Sequence, residues 1–95
     1  MSRITVVNNA AASRFEIERD GNLVGHLDYQ TQGGTVDLIH AEVDPSTRGE
    51  GLGAALVKGA LDAIWDEKMT IIASCPFVAS YIEQHPEYEP LLTRS

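Results

Sequence analysis

A single cysteine, Cys75, in 95 residues excludes an intramolecular disulfide and any cysteine-based zinc cluster. Basic residues are scarce too: seven lysines and arginines stand against fourteen aspartates and glutamates, a formal net charge of −7. Such a chain lacks the basic face that duplex binding needs to displace counterions, so no nucleic-acid partner is expected. The same balance suits a cationic partner, and it also promotes solubility. No apolar run approaches the ~20 residues of a membrane span, and no charged start leads through an apolar stretch to a small-residue cleavage site. Membrane contact and a signal peptide are therefore not expected, and the expected compartment is a reducing cytoplasm.

What is present reads as a folded domain. Apolar residues make up 43% of the chain and charged ones 22%, so disorder is expected only in the four-residue opening and after Glu89. With no repeats, linkers or low-complexity tracts, residues 1–95 read as one domain. Phe15 and Ile17 alternate with Glu16 and Glu18, which predicts a half-buried strand over residues 13–19. Asp20-Gly21-Asn22 then signals a hairpin, because its central residues tolerate positive φ. Leu23, Leu27 and Tyr29 are expected on one face of the returning strand, His26 and Asp28 on the other. A turn at Gln32-Gly33-Gly34 leads into residues 35–43, with Val36, Leu38, His40 and Glu42 expected on one side and Ile39, Ala41 and Val43 on the other. Apolar residues on both sides predict a central strand covered on both faces. A weaker strand over residues 3–7 precedes these, connected through residues 8–12.

Asp44-Pro45-Ser46-Thr47 breaks the third strand, and the hydrophobic period lengthens from two to about 3.6. Leu52, Leu56, Ala60, Ala63 and Ile64, widened by Val57, Leu61 and Trp65, form a stripe opposite Lys58, Asp62 and Asp66. That predicts a helix of roughly four turns ending near Glu67 or Lys68. Residues 69–74 read as a short strand, and a strand–helix–strand unit of this size implies a right-handed crossover with parallel pairing. Pro76 suits the first position of a last helix, which His85-Pro86 stops. The expected class is α/β (α+β): antiparallel strands, helix, parallel strand, helix.

The segment Arg48-Gly49-Glu50-Gly51-Leu52-Gly53 lies where a strand has ended and a helix begins. Unpaired amides and the helix dipole favour phosphate oxygens there. The three glycines remove Cβ atoms that would hold a diphosphate off the backbone, and Arg48 adds a forked cationic donor. A P-loop is excluded, because Gly53-Ala54-Ala55 stands where Gly-Lys-Ser/Thr is required. The Rossmann pattern matches formally at Gly49, Gly51 and Ala54, but it belongs directly after the first strand of a larger sheet.

The remaining pattern, Arg-x-x-Gly-x-Gly at Arg48, Gly51 and Gly53, resembles the acetyl-CoA signature of the GNAT acetyltransferases. Leu38-Ile39-His40-Ala41-Glu42-Val43 before it and Cys75-Pro76-Phe77-Val78-Ala79-Ser80-Tyr81-Ile82 after it look like a short, stand-alone branch of that superfamily, without its usual early helices and closing strands. The resemblance implies a minimal GNAT fold and an acetyl-CoA-dependent N-acetyltransferase. It implies coenzyme binding by Val43, Arg48, Gly49, Glu50, Gly51, Leu52, Gly53 and Ala54, and a last strand that splays from its neighbour so that the thioester passes between them. The implied acceptor is an amine: a protein lysine, an N-terminus, a polyamine or a small metabolite. The chain is expected to be a monomer or homodimer. An acyl-CoA-binding module without turnover is the alternative.

Acetyl transfer needs a deprotonated amine, a polarised carbonyl and a proton for the departing thiolate. His40 is the first candidate base, since imidazole titrates near neutrality, and a strand histidine held by a neighbour is its structural counterpart. Glu42 shares the expected face of His40 and can act through water or orient a cation. Cys75, at a helix start, is a candidate for covalent transfer or for lining the site, and also fits an inert core thiol. Tyr81 is expected to pack against the sheet, because Cys75-Pro76 replaces the asparagine-led motif of relatives that use a tyrosine here. His85, Glu87 and Tyr88 read as a structural cap, and no metal site is expected.

Overall fold

The computed structural model describes residues 3–47 and 49–92. Five strands form one sheet in chain order: β1 (Ile4–Asn9), β2 (Arg14–Arg19), β3 (Asn22–Gln32), β4 (Thr35–Val43) and β5 (Thr70–Ala73). The first four pair antiparallel and β5 joins β4 in parallel through the crossover helix α1 (Leu52–Asp66), as the sequence predicts. Helix α2 (Pro76–Gln84) and a 3₁₀ segment (Pro86–Leu91) close the chain. The β2–β3 turn places Asp20 at φ 53° and Gly21 at φ 85°, the two positive values that a tight hairpin requires. Strand β1 runs further than expected, to Asn9, and a short 3₁₀ turn over Ala10–Ala12 makes the connection.

The core lies on one face of the sheet. Phe15, Ile17, Leu27, Val36, Leu38 and Ile71 meet Leu56, Val57, Ala60, Leu61 and Ile64 of α1 and Val78 and Ile82 of α2. Gly59 lets α1 lie close on β1: a Cβ there would stand 2.7 Å from Val6 Cβ. The apolar stripe narrows in the last helical turn, where Ile64 remains buried and Trp65 is 46% exposed, so Trp65 does not widen it.

Two β-bulges change the expected faces. Val24 is an extra residue opposite the Ile17/Glu18 step of β2, and Ile39 is an extra residue opposite the Asp28/Tyr29 step of β3. The first puts Val24 in the core and turns Leu23 outward at 49% exposure, away from Leu27. The second breaks the expected row Val36, Leu38, His40, Glu42. Beyond Ile39 it is Ala41 and Val43 that continue the core face, while His40 and Glu42 project from the opposite one. That opposite face is not covered as the sequence suggests. His40 and Glu42 keep 57% and 67% of their side-chain surface exposed, and Ile39 and Ile72 are exposed as well.

Candidate functional site

Strand β4 and the edge strand β5 part after Leu38. Pairing of β4 with β5 runs from Thr35↔Thr70 to Leu38↔Ala73, and the Cys75 N–H donating to the Leu38 carbonyl (2.8 Å) is a last tie. The Ile39 bulge bends β4 at this point, since an extra residue kinks and twists the strand that carries it. Further along, the Asp44 N–H donates back to the Val24 carbonyl of β3 (2.7 Å). Val43, one residue earlier, therefore turns its own N–H and C=O toward the free edge, and by alternation so does Ala41. A free edge of this kind accepts an extended, amide-bearing chain as though it were another strand.

The start of α1 faces the same edge. Gly51 caps the helix from the left-handed region (φ 74°) with no side-chain hydrogen bond, and Gly49 also lies there (φ 89°). The Ala55 N–H donates to the Gly51 carbonyl, so the first-turn amides of Leu52, Gly53 and Ala54 have no intrahelical acceptor. Between this turn and the β4 edge is a cavity of about 630 Å³, lined by Ala41, Val43 and Asp44 on one side and Gly49, Gly51 and Gly53 on the other. Among the described residues nothing lies within 4 Å of where a Cβ on Gly49 or Gly51 would stand, so these residues leave room for an anion. Phe77 of α2 forms a third wall, 47% exposed and packed against Gly53, where a Cβ would meet its ring at 3.0 Å. Thr47 is buried below the loop, and its hydroxyl donates to the Asp44 carbonyl (2.7 Å). The Asp44 carboxyl sits below its usual range, because the Ser46 N–H donates to it and Arg19 is near.

The coenzyme residues named from the sequence are thus brought together on one cavity, with two exceptions. Glu50 lies between two lining glycines without lining the cavity itself, and Arg48 lies outside the described residues. Phe77 and Ala41 were not singled out by the sequence. Phe77 follows a helix-starting proline, a position that carries no binding signal of its own, and Ala41 reaches the cavity only through the bulge.

The candidate catalytic residues divide. His40 and Glu42 lie on the open face of β4, across the strand from the cavity. The Glu42 carboxylate stands between two imidazoles, 3.8 Å from His40 Nε2 and 3.7 Å from His26 Nε2, and His26 is also 3.7 Å from Asp28. Cys75 is elsewhere: at 4% exposure it belongs to the core, and it is not among the described residues lining the cavity. Tyr81 packs in the core as expected, its ring stacked on His85 at 4.1 Å, and burial pushes its hydroxyl pKa up. Tyr88 donates to Asp62 of α1 (2.7 Å), which makes the C-terminal segment a cap on the helix layer.

An antiparallel sheet extended by one splayed parallel strand, with a glycine-led helix start facing the splay, is an architecture this chain shares with solved structures described as N-acetyltransferases. The family model for GCN5-related N-acetyl-transferase matches residues 14–91. The chain belongs to that family. Among curated proteins it is similar to Protein NATD1 of Xenopus tropicalis, 35% identical over 52 residues, and to Protein NATD1 of Homo sapiens, 35% identical over 51 residues. These matches cover 55% and 54% of this chain and 48% and 45% of those proteins, so the chain spans about half the length of the curated relatives it matches. A GCN5-like protein from Staphylococcus aureus shares the fold at a TM-score of 0.72 and 22% identity, over 100% of this chain and 93% of that one. The ribosomal-protein-S18-alanine N-acetyltransferase of Escherichia coli does so at 0.66 and 15% identity, over 90% and 76%. The fold supports acetyltransferase activity in general, and proteins of this family generally bind acetyl-CoA. Among the described residues no helix is long and apolar enough to cross a membrane.

Proposed function

We propose that this chain is an acetyl-CoA-dependent N-acetyltransferase that passes an acetyl group directly to an amine in a ternary complex. One observation carries the reading: the cavity joins the left-handed glycine start of α1 to the free edge of β4, and the opposite face of that strand bears His40 and Glu42. Amides of residues 49–54, with Arg48, hold the diphosphate, and the Val43 backbone holds the extended arm. Acetyl-CoA supplies the activated thioester. His40 accepts the amine proton as the nitrogen attacks, and Glu42 orients the imidazole or the incoming cation. Cys75 ties its N–H to the Leu38 carbonyl where the strands part and does not carry the acetyl group. The acceptor is a protein lysine, an N-terminus, a polyamine or a small metabolite amine, met by residues 1–95 as one domain, in the cytoplasm, as a monomer or homodimer.

A second reading, an acyl-CoA-binding module without turnover, draws on the open sheet face, where the candidate base is more than half exposed. Release of CoA in the presence of a panel of amines separates the two. Turnover is expected with at least one amine, and His40→Ala is expected to lower kcat by about 10²- to 10⁴-fold, the usual share of a positioned base, with acetyl-CoA affinity unchanged. Binding without release for any amine would favour the module. One acetyl group gained on Cys75, then passed to an amine at the turnover rate, would replace direct attack with covalent transfer.

A further inference from the structure

Glu50 is the one carboxylate in the glycine loop, and its neighbours Gly49 and Gly51 both line the cavity. A free carboxylate at that place would repel a diphosphate. The Glu50 side chain is turned away instead, ion-paired with the guanidinium of Arg19 at the end of β2, 31 residues earlier in the chain. Asp44, which does line the cavity, also feels the charge of Arg19. One guanidinium is therefore paired with the carboxylate that the glycine loop carries. The shift of Arg19 agrees with this arrangement: its pKa is raised first by the hydrogen bond to Glu50, with the charges of Glu50, Asp20 and Asp44 adding in the same direction.

We infer that Arg19 is a positioning residue of the coenzyme site: it holds the Glu50 carboxylate away from the cavity, so that the diphosphate meets backbone amides without a competing anion. The inference rests on the acetyl-CoA reading above and adds to it a residue outside the glycine motif. Arg19 acts through Glu50, so its loss matters only while that carboxylate remains charged. Being electrostatic and partly exposed, the effect is also weakened by salt.

The test is calorimetric titration of acetyl-CoA into the wild-type protein, Arg19→Gln, Arg19→Lys and the double variant Arg19→Gln/Glu50→Gln, at low and high salt. Arg19→Gln is expected to weaken binding roughly three- to tenfold, the scale of a screened surface charge interaction. Arg19→Lys, which keeps the cation, is expected to lose less, and it serves in place of Arg19→Gln should that variant melt below the assay temperature. The double variant is expected to recover most of the lost affinity, and the loss in Arg19→Gln is expected to shrink as salt rises from about 0.02 to 1 M. A double variant as weak as Arg19→Gln would overturn the inference, since Arg19 would then touch the ligand itself or serve only the fold. Arg19→Lys as weak as Arg19→Gln, or Arg19→Gln as tight as wild type, overturns it equally. A wild-type protein that binds no acetyl-CoA overturns the coenzyme reading and this inference together, so the two failures are told apart by the wild-type titration alone.

Discussion

Gly51 shows how one residue carries both fold and site. Its φ of 74° belongs to a region that a side chain with a Cβ enters at a cost of about 1–2 kcal/mol, and a β-branched residue enters least readily. Among the described residues no atom lies within 4 Å of the missing Cβ, so substitution meets strain and a blocked cavity there. Gly51→Val is therefore expected to fold with a modestly lower Tm and to lose the stabilisation that acetyl-CoA gives. Thermal unfolding with and without ligand checks both parts, and an undiminished ligand shift would remove the loop from the binding site. Gly53 differs: it has no positive φ, and its missing Cβ makes room for Phe77.

Between elements, α1 lies close on β1 at Gly59. An alanine in place of glycine normally stabilises a helix interior by about 1 kcal/mol. At Gly59 the new Cβ would meet Val6 Cβ at 2.7 Å and both Val6 methyls below 3.0 Å, and none of these is the far end of a flexible chain. Gly59→Ala is thus expected to destabilise by about 1–3 kcal/mol through overpacking, and Val6→Ala in the same protein to return much of it. Denaturant unfolding of the two single variants and the double reads the coupling. A second joint ties α1 to the C-terminal segment, where Lys58 and Tyr88 both donate to Asp62 (2.7 Å each). Burial alone would raise the Asp62 carboxyl, but these hydrogen bonds and the lysine charge outweigh it and hold it below the usual range. A carboxylate depressed in the folded state contributes stability above its unfolded pKa of about 3.9, and that contribution is lost as pH falls through the lower folded value. Asp62→Asn should therefore melt about 2–5 °C below wild type at pH 7. The gap should close once the pH is taken well below 4, and thermal scans across pH 2–7 measure it.

For the whole molecule, ligand binding and stability are one equilibrium. A coenzyme that binds only the folded chain at a hundredfold excess over its Kd adds about 2.7 kcal/mol, which for a domain of this size raises Tm by roughly 10–20 °C. Acetyl-CoA is expected to do this, and a pantetheine fragment without the diphosphate to do it far less, because the first-turn amides of α1 would have no anion to hold. Equal shifts from both would place the binding energy on the β4 edge alone. The uncovered sheet face is the other property of the molecule as a whole: among the described residues, the side that bears His40 and Glu42 stays open.

Element order, the parallel crossover, both glycine turns and the loop before α1 were legible in the sequence, because each is set by local chemistry: alternation, helical period, positive-φ residues, a proline at a helix start. The glycine-led turn before α1 was readable for the same reason, since neighbours along the chain build it. The face of His40 was not. Period-two alternation puts it with Leu38, yet the strand beside it decides where an extra residue is accommodated, and the Ile39 bulge reverses everything that follows. Burial of Cys75, exposure of Trp65 and the pairing of Arg19 with Glu50 likewise join or separate residues that local pattern cannot relate. The sequence by itself determined which elements form and where the glycine-led start of α1 falls. Only the tertiary structure decided which side of β4 faces the cavity, because side-chain direction beyond a bulge depends on the register of two strands, and register is a property of the pair.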